Sequence, residues 1–281
     1  MRFKRIRRFL SRFLDPSHNT AYISEGSSFM PDRGSRVDHC FIKMNGNSTL
    51  TVSSGAKVSN VRFQINDRSS VTIAPGCELS DLDICVWGSS SLVFEDQCQV
   101  HQARLVIEKG KVNIGHATLI SRGEQATGPS IIVADGSLSI GDHNNLKGSF
   151  WIRFGGKVNI GQYNCVNEGT EVRCDEAVSI GSYNMISYQC DIWDTNTHAK
   201  YSLEEKKSMF VNDFPAIGRE SRKPDTKPVI IGDGNWIGKL TCILKGSTLC
   251  NNVIVGTRAV ISNQTLEDNT TFVSMKGDSI R

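Results

Sequence analysis

A histidine stands at a break in the repeating pattern of this sequence. The segment before the break reads D-I-W-D-T-N-T-H, from Asp191 to His198, and a polar stretch rich in Lys and Glu follows over residues 199–228. Histidine has an unperturbed pKa near neutrality, so it can take a proton from a hydroxyl group at physiological pH. A polar loop that leaves a fold beside such a residue can build a cleft. His198 and Asp194 are therefore candidates for chemistry, and an exposed loop histidine and a strand-ending aspartate are the alternative interpretations.

Side chains that could bind an anion recur one repeat apart. Arg153, Arg173 and Trp193 each follow an aliphatic residue, so we expect them to project outward on the surface that leads to His198. A guanidinium group pairs bidentately with carboxylate or phosphate, which favours an anionic sugar or a diphosphate carrier as ligand. The alternative is that the arginines pair with neighbouring acidic residues, namely Glu171 or Asp175.

A twenty-residue repeat supplies the elements that position these residues. Aliphatic residues fall six apart within each repeat, a spacing that fits neither a helix nor simple strand alternation. The pattern predicts an all-β solenoid that winds as a triangular prism with one short strand per face. We expect coils over residues 36–198, an extruded loop over 199–228, further coils over 229–263 and a tail over 264–281. The three clearest repeats are LSIGDHNNLKGSFWIRFGGK, VNIGQYNCVNEGTEVRCDEA and VSIGSYNMISYQCDIWDTNT.

Two columns of this repeat carry specific expectations. Leu138, Val158 and Val178 are twenty residues apart, and a further twenty leads to His198, which predicts that a histidine replaces an aliphatic wall residue. A second column should form a corner at which each residue adopts positive φ and bonds to its neighbours above and below, and its members are Asn144, Asn164 and Asn184.

The last coils carry the residues that point to a family. The segment from Val229 reads VIIGDGNWIGKLTCILKGSTLCNNVIVGTRAVIS. It resembles the C-terminal signature of the hexapeptide-repeat acyltransferases along its whole length. That resemblance implies a left-handed parallel β-helix, a homotrimer, acetyl-CoA as co-substrate and a carbohydrate acceptor. It also implies that His198 acts as a general base, with Asp194 orienting it or holding the acceptor, and that Asn196 contributes to substrate binding.

The resemblance also implies where acetyl-CoA would bind. It points to Trp236, Gly238, Gly256 and Thr257 along the C-terminal coils. The family commonly has small residues after these glycines, whereas this chain has larger or charged ones. Three basic side chains could contact the phosphates, and solvated rim positions are the alternative: Lys239, Arg258 and, in the tail, Lys276.

The basic character of the chain is concentrated at its start. Six of the 32 Lys and Arg residues lie within the first fourteen positions. Apolar residues recur there at helical spacing, which predicts a basic amphipathic helix over residues 1–15 that could contact an anionic membrane surface through residues 2–14. A cap on the first coil or a contact with another subunit would explain the same pattern. We expect no signal peptide, no bilayer span and no nucleic-acid partner.

Composition favours a cytoplasmic protein. If the N-terminal helix contacts a membrane, the protein would lie at the inner face of the cell membrane. The nine cysteines are scattered without metal-type spacing, so no metal site is expected. The leading function is an O-acetyltransferase for a sugar hydroxyl of a surface polysaccharide, either capsule or lipopolysaccharide, or of its precursor. An N-acetyltransferase for an amino sugar nucleotide and a non-catalytic scaffold are the alternatives. A zinc hydratase is disfavoured because no histidine pair has a suitable spacing.

Overall fold

The strands of this protein wind into a three-sided solenoid. The structure is a computed structural model that describes residues 19–123, 130–215 and 222–273. Successive coils stack in parallel register, and one face alone forms an 11-stranded sheet. The all-β parallel β-helix predicted from the repeat is confirmed.

Each coil contributes one strand to each of three faces, which we call faces I, II and III in the order in which the chain meets them from β2 onward; β1, the first strand, lies on face III. Face I consists of β2 (Ser28–Pro31), β5 (Thr49–Val52), β7 (Ser70–Ile73), β9 (Ser91–Phe94), β12 (Gly110–Ile114), β15 (Gly136–Ile140), β18 (Gly156–Ile160), β21 (Ala177–Ile180), β24 (Val229–Ile231), β27 (Thr248–Leu249) and β30 (Thr265–Leu266).

Face II begins with β3 (Arg36–Asp38) and the first parts of two long strands. Its members are β3, β6 (Lys57–Ile65), β8 (Glu78–Trp87), β10 (Gln99–His101), β13 (Leu119–Ser121), β16 (Asn145–Leu146), β19 (Cys165–Val166), β22 (Met185–Ile186), β25 (Trp236–Ile237), β28 (Ile254–Val255) and β31 (Thr271–Phe272).

Face III contains the second parts of β6 and β8. Because these two strands continue across a corner, faces II and III join in one 20-stranded sheet. The other members are β1 (Thr20–Ile23), β4 (Phe41–Met44), β11 (Arg104–Glu108), β14 (Ser130–Val133), β17 (Ser149–Ile152), β20 (Glu171–Cys174), β23 (Asp191–Trp193), β26 (Cys242–Leu244) and β29 (Val260–Ser262).

Columns of aliphatic side chains fill the interior of the prism. On face I, one column runs through Leu138, Val158, Val178 and Val229, each at most 1 % exposed. Val178 pairs directly with Val229, so Val229 and not His198 continues the column. The expectation that His198 replaces a wall residue is wrong, because the chain leaves the solenoid before it would reach that position.

The register on face III differs from the simple twenty-residue spacing. Ser149 pairs with Glu171, 22 residues on, whereas Lys157 pairs with Ala177, 20 residues on. From one coil to the next, the corner before face III becomes longer and the corner after it becomes shorter, so the repeat length stays the same. As a result Trp151, and not Arg153, lies in register with Arg173 and Trp193. The sequence predicts Arg153 as the first residue of this outward column, and the structure places Trp151 there.

The asparagine column forms a buried ladder at the corner between faces I and II. The side-chain oxygens of Asn144 and Asn164 each accept a bond from the backbone N–H of the next asparagine at 2.9 Å. The ladder continues to Asn235, whose backbone N–H donates to Asn184 at 2.8 Å. Each of the three predicted asparagines therefore links two coils.

Positive φ at this corner belongs to the residue before each asparagine. His143, Tyr163 and Tyr183 have φ of 56°, 57° and 62°. Their rings stack along the solenoid at centroid distances of 4.7 and 5.4 Å. The expectation of positive φ at the asparagines is therefore wrong by one position. The aromatic residue before each asparagine makes the turn, and the asparagine points inward.

A polar excursion leaves the corner between faces III and I. An isolated antiparallel bridge between Thr195 and Thr226 closes its base. It contains α1 (Leu203–Asn212), which begins with a capping box between Ser202 and Glu205 and buries none of its residues. The excursion is thus attached to the coils through its two ends.

The coils extend beyond the predicted range at both ends, and two of the predicted features lie outside the described residues. Strands already occur at Thr20, before residue 36, and β31 ends at Phe272, within the range predicted as tail. The basic helix of residues 1–15 and Lys276 lie outside the described residues. Within the described ranges, none of the helical structure is long and apolar enough to cross a membrane.

The nine cysteines are all free thiols. Five are buried in the solenoid, and burial raises the pKa of Cys40 to about 11. A thiol with so high a pKa stays protonated and unreactive at neutral pH.

Candidate active site

The D-T-N-T-H segment follows β23 and forms the turn at which the excursion begins. Asp194 is fully buried. One of its carboxylate oxygens accepts the backbone N–H of Asp175 at 2.8 Å, and the other accepts the N–H groups of Glu176 and Ala177 at 2.8 and 2.7 Å. Burial raises the pKa of Asp194, and the three N–H donors act in the opposite direction. The carboxylate therefore anchors the turn to the preceding coil.

His198 lies at the exposed end of this turn. Its backbone N–H donates to the carbonyl of Asn196 at 2.8 Å, which closes a three-residue γ-turn centred on Thr197. Thr197 has φ of 66°. A positive φ at a β-branched residue is rare and strained. The backbone that positions the histidine therefore has a conformation that the local sequence disfavours.

A buried polar network lies directly beneath the turn. Arg153 donates from Nε to Asp175 Oδ1 at 2.9 Å and from Nη2 to Oδ2 at 2.8 Å. The same Nη2 donates to the carbonyl of Thr197 at 3.3 Å. Thr195 donates its hydroxyl to Asp175 at 2.7 Å and accepts the N–H of Thr197 at 3.0 Å. Arg153 is thus engaged within the fold.

An aromatic and cationic stack lies on face III beside the turn. The guanidinium of Arg173 lies 4.8 Å from the ring of Trp151 and 5.1 Å from that of Trp193. Arg173 also pairs with Glu171. Among the described residues, the buried Nε1 of Trp193 has no hydrogen-bond partner. Both arginines therefore make the ion pairs that the sequence left open as an alternative.

The residues implied for acetyl-CoA lie at a different place on the solenoid. Trp236 is 54 % exposed on face II. Gly238 and Lys239 follow it at the corner between faces II and III, and the N–H of Arg258, one coil on, donates to the carbonyl of Lys239 at 2.9 Å. A Cβ on Gly238 would lie 2.6 Å from the backbone nitrogen of Thr257, so only glycine permits this approach of the coils.

Gly256 and Thr257 complete this second group at the same corner, where Lys239, Thr257 and Arg258 are exposed. Strands β23 and β26 separate it from the corner that carries His198. The structure brings Asp194, Asn196, His198 and Arg153 together, with Arg173 and Trp193 on the adjoining face. It does not bring the cofactor group to the histidine within one chain.

Sequence reasoning missed the residues that shape the turn. The sequence indicates Asp175 as a partner for an arginine, but Thr195 and Thr197 carry no signal of their role, because that role depends on a long-range register and on a positive φ. Within the described part of the chain, no group of His, Cys, Asp and Glu side chains is placed to bind a metal.

These features define a class of protein: a parallel β-solenoid interrupted by an excursion that starts at a histidine-bearing turn. No family model matches the sequence, and no curated protein matches it. The chain is similar in fold to the polySia-specific acetyltransferase NeuO, with 13 % identity, coverage of 90 % of this chain and 85 % of that chain, and a TM-score of 0.43.

Two further solved structures are similar to this chain. The hexapeptide-repeat acetyltransferase VCA0836 from Vibrio cholerae O1 biovar eltor, complexed with acetyl-CoA, is 19 % identical over 47 % of this chain and 63 % of that chain, with a TM-score of 0.35. The polysialic acid O-acetyltransferase OatWY is 19 % identical over 94 % of each chain, with a TM-score of 0.30.

Proposed function

We propose that this protein is an acetyl-CoA-dependent O-acetyltransferase that modifies a sugar hydroxyl of a surface polysaccharide, capsule or lipopolysaccharide, or of its precursor. The observation that carries the proposal is the presentation of His198. The histidine lies on an exposed turn, next to an aromatic surface, at the point where the solenoid is interrupted. The D-T-N-T-H segment is also where the family resemblance expects a catalytic base.

The proposed chemistry needs a base and a thioester donor. The acceptor hydroxyl oxygen attacks the thioester carbonyl carbon while the imidazole of His198 takes the hydroxyl proton. The tetrahedral oxyanion collapses, the carbon–sulfur bond breaks, and the protonated imidazole returns the proton to the departing thiolate. A base with a pKa near neutrality suits both proton transfers.

Acetyl-CoA is proposed to bind at the corner between faces II and III. Lys239 and Arg258 are exposed one coil apart and can pair with phosphate, Lys as a point charge and Arg through its fork. Because Gly238 has no side chain, a pantetheine chain could approach the backbone closely at this corner. Trp236 offers an exposed apolar surface on the adjoining face.

A homotrimer would join the two halves of the site. Because the histidine and the cofactor group lie at opposite edges of face III, a neighbouring copy can bring its cofactor corner to the histidine corner of the first. The acceptor would then lie against Arg173, Trp193 and Asn196. Arg173 is already paired with Glu171, so stacking against the aromatic rings is a second way for this surface to bind a sugar.

Thiol release from acetyl-CoA by the purified protein tests the proposal. The acceptor panel contains neutral, amino and acidic glycans, with polysialic acid among the acidic ones, and product mass is the readout. We expect one added acetyl mass, and a loss of at least about a hundredfold in kcat in His198→Ala. His143→Asn, which removes another surface imidazole and tolerates the positive φ of that position, is the matched control and should keep full activity.

Three results would contradict the proposal. Equal activity in His198→Ala and wild type would remove the base assignment. Acetylation of amino groups alone would replace O-transfer with N-transfer. Failure of the protein to bind acetyl-CoA, measured by calorimetry, would favour a scaffold without catalytic activity.

A further inference from the structure

A strained backbone conformation immediately precedes the candidate histidine. Thr197 occupies the centre of a γ-turn with φ of 66°. This is the rarer of the two γ-turn forms, and such a conformation costs free energy unless surrounding bonds impose it. Strain of this kind in a β-branched residue calls for a structural cause in its surroundings.

The bonds that impose the turn lead to an ion pair in the two preceding coils, with Asp175 one coil away and Arg153 two coils away. Both hydrogen-bonding ends of Thr197 are held, its N–H by the hydroxyl of Thr195 and its carbonyl by Arg153. Asp175 connects these two partners, since it accepts bonds from the guanidinium and from the Thr195 hydroxyl. The side chain of Asp175 is 1 % exposed and that of Arg153 is 19 % exposed. The pair is therefore shielded from solvent.

We propose that Arg153 and Asp175 are positioning residues that hold the γ-turn and so fix the orientation of the His198 imidazole. This inference rests on the proposed role of His198. It reassigns Arg153 from binding an anionic acceptor to shaping the turn, because its fork is occupied by Asp175 and the Thr197 carbonyl. The guanidinium is suited to this task since it makes two parallel bonds to one carboxylate while a further N–H remains for the carbonyl.

Three variants separate the parts of the network. Arg153→Lys keeps the charge but loses the fork, Arg153→Gln loses both, and Thr195→Val removes only the hydroxyl. The matched control is Arg104→Lys, because Arg104 also approaches an aspartate on face III, Asp83 at 4.0 Å, but in a distant coil. Thr195→Val keeps the shape of a side chain that is 5 % exposed, so it offers a folded variant if a change of the arginine prevents folding.

The measurements are steady-state acetyl transfer and hydrogen exchange of the Thr197 and His198 amides. We expect kcat to fall about a hundredfold in Arg153→Gln and by less in Arg153→Lys, with KM for acetyl-CoA within about twofold of wild type. Both amides should exchange faster in all three variants and at the wild-type rate in Arg104→Lys. A purely structural pair would change exchange and melting temperature without changing kcat per folded molecule.

The possible failures are distinguishable. Unchanged exchange at the two amides, or unchanged kcat alongside faster exchange, overturns the positioning role while His198 stays essential. If wild type transfers no acetyl group, or if His198→Ala is as active as wild type, the proposed function fails and the catalytic role of the pair fails with it. The exchange rates then decide separately whether the pair holds the turn.

Discussion

At the scale of single residues, the two aspartates beneath the excursion have different bonding partners. Asp194 accepts three backbone N–H groups, whereas Asp175 accepts a guanidinium and a hydroxyl. The aspartate closest to His198 in sequence is therefore a backbone anchor. The aspartate one coil away is connected to the histidine turn through side chains, which sequence proximity does not indicate.

Thr197→Gly should separate strain from function. Glycine adopts positive φ without a steric penalty, so we expect the variant to unfold at the same temperature as wild type or higher, with up to about 1 kcal/mol of stabilisation. The freed turn should orient His198 less well, and kcat should fall about tenfold at unchanged KM. Thermal unfolding and steady-state kinetics measure the two effects.

Asparagine is the control for this change. It tolerates positive φ better than other residues with a Cβ, so Thr197→Asn should keep most of the activity. A clear loss of stability in Thr197→Gly would show that the turn is not strained in the native protein.

At the scale of the structural element, the corner between faces I and II depends on its buried ladder. Asn184 is fully buried, accepts the N–H of Asn235 and donates to Asn164 at 3.0 Å. In Asn184→Ala the N–H of Asn235 would be left buried without this acceptor. We expect a loss of about 2–4 kcal/mol in the free energy of unfolding, measured by urea denaturation.

Asn167→Ala is the matched comparison for the ladder. Asn167 is partly exposed, and its side chain donates one bond, to the carbonyl of Ile186 at 3.2 Å. The expected loss is about 1 kcal/mol or less. Equal losses in the two variants would contradict a special contribution of the ladder.

The accuracy of sequence-based prediction differs between the coils and their corners. The prism and the asparagine column follow from short-range periodicity, because the inward-facing positions of each strand are apolar and recur at a fixed spacing. The alignment of Trp151 with Arg173 could not be predicted, because corners of different length cancel within equal repeats. The position of His198 was missed for a related reason, since the chain leaves the coil after Thr195 and Val229 fills the next wall position.

At the scale of the whole molecule, the proposed division of the site between two corners of the solenoid predicts complementation between chains. A chain with His198→Ala and a chain with Lys239→Glu and Arg258→Glu should each be inactive as uniform trimers. Co-expressed with different affinity tags and purified through both, they should regain activity, because some sites would then combine an intact histidine with an intact cofactor corner. Acetyl transfer is the measurement.

The mass of the assembly is the necessary control. Light scattering should give three times the chain mass of 31.0 kDa for every preparation. If a trimer forms and the mixed preparation remains inactive, the complete site lies within one chain. A monomer would contradict the proposed assembly altogether.

The attachment of the excursion bears on how such a protein can change over evolution. Val178 pairs with Val229 in the same way that Val158 pairs with Val178, so the stacking of coils continues across the insertion. The two ends of the excursion also meet, through the bond from the Lys227 N–H to the Asp194 carbonyl at 2.9 Å. The residues between these two ends can therefore vary in length and composition while the stacking of the coils continues. If His198 is the catalytic base, changes in the excursion would alter the surroundings of the histidine while the stacked core that folds the chain stays the same.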